Sequence, residues 1–439
     1  MAREYKDSGI EWIGMIPKEW KVCRLKGMAH SLSKGNGITK EEVFPDGDTP
    51  CVRYGEIYSK YNGAFVECVS RTRKDNLLTT RYFDYGDILF AGTGELVEEI
   101  GKNIVYMGET PCLAGGDIII LKHSQNPVFL NYALNSQYAQ CQKSCGKAKL
   151  KVVHISSSEI GDMQVILPPL SEQHKIVDYL DKVCGEVDEM IALQEKMIEE
   201  LKAYKQSIIT EAVTKGLNPN VPMKNSGIDW IGEIPEHWNQ AKTLYILSMP
   251  ITDGPHTTPD LYDEGIPFIS ADAVSDGYIN FDNKRGYISK SFYEECCKKY
   301  IPQRDDIYMI KSGASTGRTA IVDTDEVFTI WSPLAVFRAN KNIMNSRFLL
   351  YVLRSEGYQK QVENNWSYGT QQNIGMRTLE RLIICYPSLP EQRQIASFLD
   401  TKCSEIDSLI AIKQQKIAEL KEYKKSIIYE YVTGKKEVV

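Results

Sequence analysis

The stretch Lys6-Asp-Ser-Gly-Ile-Glu-Trp-Ile-Gly-Met-Ile-Pro-Lys-Glu-Trp20 recurs in the same chain as Lys224-Asn-Ser-Gly-Ile-Asp-Trp-Ile-Gly-Glu-Ile-Pro-Glu-His-Trp238. A second repeat is longer: residues 168–214 match residues 387–433, with about half of the residues identical. Both pairs are offset by roughly 219 positions, which is half of the 439-residue chain. Self-similarity at a fixed period sets the architecture. Two copies are too few for a solenoid and predict an internal repeat with pseudo-two-fold symmetry.

The segments between the repeats, residues 21–166 and 239–385, are much less alike. Faint correspondence survives at the same offset, where Gly86-Asp-Ile-Leu-Phe matches Asp305-Asp-Ile-Tyr-Met, Thr93-Gly94 matches Ser312-Gly313, and His154-Ile155 matches Asn373-Ile374. One shared fold with two different surfaces is therefore predicted. We divide the chain into a first domain (1–166), a first helical spacer (167–216), a second domain with the repeated lead-in (217–386) and a second spacer (387–439).

The composition is typical of a globular protein, with 42% hydrophobic and 25% charged residues. No uninterrupted apolar stretch approaches the ~20 residues of a bilayer span, and the first residues carry charges, so a cytoplasmic location is expected. The eleven cysteines show no paired CxxC spacing, which favours free thiols and no metal site. The net charge of −6 is unusual for a protein that binds nucleic acid unaided. Either DNA is not the ligand, or partner proteins neutralise much of the phosphate backbone.

The spacers have the pattern of long amphipathic helices. In the first, a 4-3-4-3 spacing typical of knobs-into-holes packing runs through Ile176, Leu180, Val183, Val187, Met190, Gln194, Met197, Leu201, Tyr204 and Ile208. The second keeps it less purely, through Ile395, Leu399, Lys402, Ile406, Leu409, Lys413, Lys416, Leu420, Tyr423 and Ile427.

These two seams predict that the spacers pair with each other as antiparallel helices. The alternative is that each seam packs only on its own domain. The predicted helix or subunit interface consists of Ile176, Leu180, Val187, Leu201, Ile208, Ile395, Leu399, Ile406, Leu420 and Ile427. Beside the seam, Ile191, Ile198, Ile410 and Ile417 either dock helices of other subunits or belong to an ordinary core.

The repeated motifs resemble a known family. Leu167-Pro-Pro-Leu-Ser-Glu-Gln173, followed by Val213-Thr-Lys-Gly216, is similar to the conserved region of type I restriction-modification specificity subunits, and Leu389-Pro-Glu-Gln392 onward to Val432-Thr-Gly434 repeats it. In the second domain, Asp253-Gly-Pro-His-Thr-Thr-Pro259, Ser312-Gly-Ala-Ser-Thr-Gly317 and Gly369-Thr-Gln-Gln-Asn-Ile374 resemble target-recognition domains of that family. The first domain departs further, because Gly92-Thr-Gly94 leads into Glu95, Glu98 and Glu99.

This resemblance implies two mixed α/β target-recognition domains, each followed by a long helix, with the two helices forming an antiparallel coiled coil. It implies a non-catalytic subunit in which each domain reads one half of a split, asymmetric double-stranded DNA target while the helices fix the gap. The implied partners are two methyltransferase subunits and, in the full complex, motor-nuclease subunits. S-adenosylmethionine, ATP and magnesium would belong to those partners, so no cofactor is expected in this chain.

Base edges are read chiefly by Arg or Lys at guanine and by Asn or Gln at adenine. The predicted base-contacting segment holds Tyr368, Thr370, Gln371, Gln372 and Asn373, and the segment suited to phosphate holds Lys311, Ser312, Ser315, Thr316 and Arg318. Further predicted DNA contacts are Arg71, Arg73, Lys74, Lys147, Lys149 and Lys151 in the first domain, with His256 and Thr257 in the second. The alternatives are turns whose amides satisfy the backbone, and solvated charged faces.

Two other classes of function remain in view. A phosphate-binding loop needs Gly-x4-Gly-Lys-Ser/Thr, but Gly313 and Gly317 are one residue too close and Arg318 replaces the lysine. The sequence also contains no Asn-Pro-Pro-Tyr or Asp-Pro-Pro-Tyr methyltransferase signature. A coiled-coil scaffold that binds proteins without DNA specificity would explain the acidic composition and stays the alternative.

Overall fold

The computed structural model describes residues 3–76, 80–148, 152–368 and 372–438. The chain divides into two compact units: unit 1 comprises Met1–Gln194 with Gln414–Val439, and unit 2 comprises Glu195–Lys413. Each unit therefore contains one variable domain together with parts of both spacers. No helix within the described ranges is long and apolar enough to cross a membrane.

Unit 1 is a mixed α/β structure. Its strands are β1 Tyr5–Asp7, β2 Met15–Pro17, β3 Lys21–Arg24, β4 Ala29–Lys34, β5 Thr49–Val52, β6 Ala64–Phe65, β7 Ser70–Thr72, β8 Tyr82–Phe83, β9 Ile88–Ala91, β10 Thr93–Gly94, β11 Asn103–Tyr106, β12 Cys112–Ala114, β13 Ile118–His123, β14 Val153–His154 and β15 Gln164–Leu167. Its helices are α1 Leu25–Met28, α2 Tyr54–Ser59, α3 Pro127–Asn135, α4 Gln137–Ser144 and α5 Ser157–Asp162, with 3-10 turns at Lys74–Asn76 and Val97–Glu99. The long helix α6, Leu170–Lys215, begins in this unit.

Unit 2 repeats this composition of elements. Its strands are β16 Met223–Asn225, β17 Glu233–Pro235, β18 Asn239–Lys242, β19 Thr252–Asp253, β20 Ile266–Ile269, β21 Gly277–Tyr278, β22 Gly286–Ile288, β23 Ile307–Ile310, β24 Thr319–Ile321, β25 Thr329–Ile330, β26 Leu334–Phe337, β27 Ser367–Tyr368, β28 Gln372–Asn373 and β29 Ile383–Tyr386. Its helices are α7 Thr243–Ile246, α8 Lys290–Cys297, α9 Ser346–Arg354, α10 Glu356–Asn364 and α11 Met376–Arg381, with 3-10 turns at Ala271–Ala273 and Phe281–Asn283. The second long helix, α12 Leu389–Val432, begins here.

The main sheets of the two units have the same topology. The strand order is β4-β13-β9-β11-β6 in unit 1 and β19-β26-β23-β24-β21 in unit 2. In both sheets the last pair is parallel and the preceding pairs are antiparallel. The predicted shared fold of the two variable segments is confirmed.

The central strands are continuous apolar runs because both faces of the sheet are covered. In β9, Ile88 and Phe90 face the cluster that contains the fully buried Trp20, whereas Leu89 and Ala91 face a second cluster on the other side. Strand β13 alternates in the same way. The period-two alternation of side chains thus divides each domain into two cores.

The repeated lead-in is held by the repeated start of the spacer helix. In unit 1 the Trp20 indole N–H donates to Glu172 Oε2 over 2.8 Å. In unit 2 the Trp238 indole N–H donates to Glu391 Oε1 over 3.1 Å. The two sequence signatures that repeat together therefore contact each other within each unit.

A buried glutamine follows each of these glutamates. Gln392 has no exposed surface; its Oε1 accepts the backbone N–H of Asn345 at 2.8 Å, and its Nε2 donates to the carbonyls of Ile343 and Pro387, each at 2.9 Å. Asn345 in turn caps the N-terminus of α9 by accepting from the Phe348 N–H. The glutamine thus ties the beginning of the spacer helix to the beginning of a helix in the domain.

Gln173 makes two of these three contacts in unit 1, and its remaining bond goes to the Gln125 side chain at 2.8 Å. It accepts the N–H of Asn126 at 2.9 Å and donates to the Pro168 carbonyl at 2.9 Å, and Asn126 caps α3. The Glu-Gln pair of the family-like motif is therefore a structural clamp between spacer and domain in both units.

The two long helices pair antiparallel in unit 1. The rings of Tyr179 and Tyr431 lie 4.4 Å apart, and Lys424 Nζ lies 2.6 Å from Asp188 Oδ1. The residue number rises along α6 as it falls along α12, which is the definition of an antiparallel pair.

The same pairing occurs in unit 2. Lys205 Nζ lies 2.8 Å from Asp407 Oδ1, and Ile209 of α6 shares a buried cluster with Leu399 of α12. Asp188 and Asp407 are equivalent in the repeat, as are Lys205 and Lys424, so each unit contains the same aspartate–lysine pair. The predicted fold class, mixed α/β domains with antiparallel coiled-coil helices, is confirmed.

The predicted seam is wrong at three positions in each helix. The predicted interface residues Ile176, Leu180, Val187, Leu201, Ile208, Ile395, Leu399, Ile406, Leu420 and Ile427 are buried or partly buried. Between Leu180 and Ile208, however, Cys184, Ile191, Ile198 and Lys205 are packed as well, whereas Met190, Met197 and Tyr204 are exposed. In α12 the packed positions are likewise Cys403, Ile410, Ile417 and Lys424. At these positions the packed residue follows the predicted one by one place. At the last of them it is Lys205, which is paired with Asp407 of the other helix, and not the predicted Tyr204.

Candidate nucleic-acid interface

Two predicted DNA-contacting segments of the second domain lie side by side. Ser312 and Asn373 form an antiparallel bridge. The Gly313 N–H donates to the Gln372 carbonyl over 3.0 Å, and the Ile374 N–H donates to the Lys311 carbonyl over 2.9 Å. The connection from β23 to β24 and the segment that contains β28 therefore form one surface, although about 60 residues separate them in the sequence.

The first domain has the equivalent bridge. Thr93 of β10 pairs with His154 of β14, and the Thr93 hydroxyl lies 3.1 Å from His154 Nδ1. These two residues stand at the repeat positions of Ser312 and Asn373. Because His154 and Asn373 are both exposed, the two domains present different polar side chains from the same point of one fold.

Arg318 is the exposed cation of the β23–β24 connection. Its guanidinium has no hydrogen-bond or ion-pair partner among the described residues, whereas its backbone N–H donates to the Ser315 carbonyl. The Thr316 hydroxyl donates to the Gly313 carbonyl over 2.7 Å, so it closes the turn. Arg318 is available for an external acceptor, whereas Thr316 shapes the loop.

Lys311 and His256 converge on a buried carboxylate. Asp253 Oδ2 lies 3.0 Å from Lys311 Nζ, an ion-pair distance, and 3.2 Å from His256 Nε2. Asp253 Oδ1 accepts a hydrogen bond from Lys299. Burial opposes ionisation, but the contacts with Lys299 and Lys311 outweigh it and hold the pKa of Asp253 below its ordinary value. Thr257 lies on the exposed side of the same turn.

The predicted basic residues of the first domain are largely engaged by their own domain. The Arg71 guanidinium donates to the carbonyls of Gly47 and Asp48, at 2.7 and 2.9 Å. Arg73 lies 2.8 Å from Asp46 and stacks on a phenylalanine ring.

The two described lysines of these runs also have partners within the domain. Lys74 lies over the Tyr82 ring, and Lys147 forms an ion pair with Glu159. The hydrogen bond from Lys147 is the main reason that the pKa of Glu159 falls to about 2. These residues therefore shape their own loops, whether or not they touch a ligand.

Some predicted contacts fall outside the described residues. Lys149, Lys151, Thr370 and Gln371 belong to this group. Of Tyr368 the structure describes the backbone, which pairs with Gln372 in the antiparallel strands β27 and β28. The exposed Asn373 follows in the same strand.

The sequence analysis did not predict Lys34 as a candidate interface residue, although alignment of the two domains identifies it. Lys34 ends β4 at the repeat position of Asp253, is exposed, and has no ion-pair partner among the described residues. It lines a cleft of about 210 Å³ together with Thr93, Asp117 and His154. An isolated lysine gives no charge run, so alignment of the two domains is the signal that identifies it.

Each long helix also carries exposed apolar residues at matched positions. In unit 1, Met190 and Leu193 of α6 are 44% and 51% exposed. In unit 2, Leu409 and Ile412 of α12 are 47% and 64% exposed, and they are the repeat equivalents of the first pair. Exposed apolar pairs that recur at equivalent positions point to an interaction rather than to chance.

These features define a duplicated protein with two domains of one fold, each of which presents a different polar surface and adjoins an antiparallel helix pair. The model of the type I restriction modification DNA specificity domain matches residues 17–203 and 255–422, and the chain belongs to this family.

Curated relatives span nearly the whole chain. A protein of Methanocaldococcus jannaschii named as the MjaX specificity subunit of a type I restriction enzyme is 27% identical over 433 residues, which are 96% of this chain and 95% of the relative. The EcoBI specificity subunit of Escherichia coli is 24% identical over 323 residues, covering 72% of this chain and 67% of the relative.

Solved structures show the same fold. A chain from a study of complex assembly and conformational transition of the type I R-M system aligns with a TM-score of 0.72 at 19% identity, over 95% of this chain and 98% of that chain. The HsdS subunit of Thermoanaerobacter tengcongensis aligns with a TM-score of 0.50 at 17% identity, with the same coverage of both chains.

Proposed function

We propose that this chain is the DNA-specificity subunit of a type I restriction-modification complex, in which each domain reads one half of a bipartite, asymmetric target. The observation that carries the proposal is the duplicated bridge. Thr93 with His154 and Ser312 with Asn373 occupy one position in a common fold but offer different side chains. A reader of two unlike half-sites needs one scaffold with two surfaces, because base edges are distinguished by the donor and acceptor pattern of the side chains that meet them.

The acidic composition fits a subunit that works inside a larger complex. Phosphate contacts supply most sequence-independent affinity, and they can come from proteins that clamp the DNA beside the specificity subunit. As a member of the specificity family, the chain would read DNA while its partners carry out the catalysis. Two methyltransferase subunits would bring S-adenosylmethionine, and motor-nuclease subunits would bring ATP and magnesium.

The paired helices would set the gap between half-sites and dock the methyltransferases. Met190 with Leu193 and Leu409 with Ile412 form two equivalent apolar sites, which suits two copies of one partner. An apolar pair on a helix is the usual anchor for a helix of another protein.

We expect Met190→Asp/Leu193→Asp to remove one of the two methyltransferases, because two carboxylates would have to be buried without partners. Leu409→Asp/Ile412→Asp should remove the other, and the four-residue variant should bind none. Native mass spectrometry of the purified mixture reports the stoichiometry. The control is Lys196→Asp, which adds a carboxylate at an exposed polar position of the same helix. If both double variants retain two partners, these apolar pairs are not the docking sites.

The DNA-reading role is tested on the complex of this chain with its methyltransferase. Binding to genomic and random duplexes is measured over a salt series, because sequence-independent affinity falls steeply with salt whereas discrimination persists. A sequence preference at every salt concentration is expected. A complex without preference at any concentration would support the alternative, a protein-binding scaffold.

A further inference from the structure

Asp253 is a buried carboxylate contacted by two lysines and a histidine from three separate segments. It is 1% exposed, yet Lys299, Lys311 and His256 all reach its two oxygens. Lys299 follows α8, Lys311 follows β23, and His256 lies three residues beyond Asp253. One carboxylate thus fixes the relative positions of three segments of the second domain.

The backbone keeps this carboxylate in place. Asp253 pairs with Ala335 in the antiparallel strands β19 and β26. The next residue, Gly254, packs so closely on β25 that a Cβ there would lie 2.0 Å from the Ile330 carbonyl oxygen. The backbone on both sides of Asp253 is therefore fixed by two neighbouring strands.

Two of these three side chains, Lys311 and His256, belong to the candidate DNA interface. Lys311 immediately precedes Ser312, and its carbonyl accepts the N–H of Ile374 beside Asn373. His256 is mostly exposed on the same side of the buried carboxylate. Lys311 therefore connects the two features: its backbone is bonded beside the bridge that carries Asn373, and its ammonium contacts Asp253.

The first domain lacks this device. Its repeat equivalent of Asp253 is the exposed Lys34, which lies at the end of β4 in the same edge strand of the sheet. The carboxylate at this position therefore distinguishes the second domain from the first.

From this geometry we infer that Asp253 is a positioning residue that determines the specificity of the second domain by holding Lys311 and His256 in place. This inference rests on the proposed DNA-reading function. Without the carboxylate, Lys299 and Lys311 are neighbouring like charges and move apart. A displaced lysine still attracts phosphate, but it no longer meets one base edge in a fixed geometry.

The test uses the full chain with its methyltransferase and three duplexes: the complete target, the target with the second domain's half-site scrambled, and the target with the other half-site scrambled. Asp253→Asn should reduce discrimination at the second domain's half-site at least about 10-fold, which is about 1.4 kcal/mol. Discrimination at the other half-site should stay unchanged, and affinity for random DNA should be equal or higher. An equal loss at both half-sites, or no loss at either, would overturn the inference.

A second set of variants separates positioning from folding. Lys311→Gln leaves Asp253 with Lys299 and His256, so the domain should fold, and it should lose discrimination at the same half-site. Asp253→Asn should change the discrimination of the Lys311→Gln/His256→Asn variant less than about 2-fold. The two side chains that Asp253 positions are already absent from that variant, so its removal has nothing further to displace. Full discrimination by Lys311→Gln, or a multiplicative loss in the combined variant, contradicts the role. Failure of the proposed function gives a different result, because the complex without any substitution would then show no sequence preference.

Discussion

Replacement of Gln392 by leucine should destabilise unit 2 by about 4 kcal/mol, because it leaves one backbone N–H and two carbonyls buried without partners, each worth roughly 1 to 3 kcal/mol. Leucine has a similar volume but can neither donate nor accept, so the packing is kept while the clamp is lost. Hydrogen exchange followed by mass spectrometry should show faster exchange in residues 343–354 and 389–400.

Unit 1 provides the control within the same molecule, because its own clamp through Gln173 is untouched. Exchange in residues 126–135 should not change. Gln415→Leu, at an exposed position of the same helix, should have no measurable effect. If Gln392→Leu and Gln415→Leu behave alike, the clamp does not stabilise the structure.

Removal of both acidic partners of Lys205 should lower the free energy of unfolding of unit 2 by about 2 to 3 kcal/mol, because a buried ammonium without a counter-charge is strongly unfavourable. The effect is not larger because both carboxylates are partly exposed to solvent. Lys205 is buried, and the contacts with Asp407 and Asp276 raise its pKa against the opposing effect of burial. Asp276→Asn/Asp407→Asn should therefore lower the denaturant midpoint of unit 2.

Addition of Lys205→Met to that variant should recover at least half of the loss, because the position then joins the apolar seam without a charge. Glu405→Ala, which breaks the exposed pair with Lys402, should cost less than about 1 kcal/mol. If Asp276→Asn/Asp407→Asn/Lys205→Met is no more stable than Asp276→Asn/Asp407→Asn, the buried charge is not the source of the instability.

The architecture could be predicted from the sequence because the repeated residues have partners that repeat with them. Trp20 and Trp238 each donate a hydrogen bond to a glutamate at the start of a spacer helix. The tryptophan and the glutamate therefore recur together, because each unit contains one copy of the same contact. The seam was predicted except at three positions in each helix, where the neighbouring residue packs instead. Apolarity favours Tyr204 over Lys205, and no single-chain pattern reveals that an aspartate some 200 residues away neutralises the lysine.

The candidate interface was predictable only in part, because a run of charge does not show where its partners lie. The sequence predicted Arg71 and Arg73 as DNA contacts, but both bind residues 46–48 of their own domain. Conversely, Lys34 belongs to no charge run, and the motif that Asp253 opens does not show which distant lysines contact it. Their importance emerges when the two domains are aligned and the cations around Asp253 are located.

The central claim is that two domains of one fold read two halves of one target, and methylome sequencing tests it most directly. Residues 239–385 are exchanged for the corresponding segment of another family member, and the chain is expressed with its methyltransferase. The methylated motif should keep one half and the gap while the other half changes. A motif in which both halves change, or in which neither does, would contradict the account.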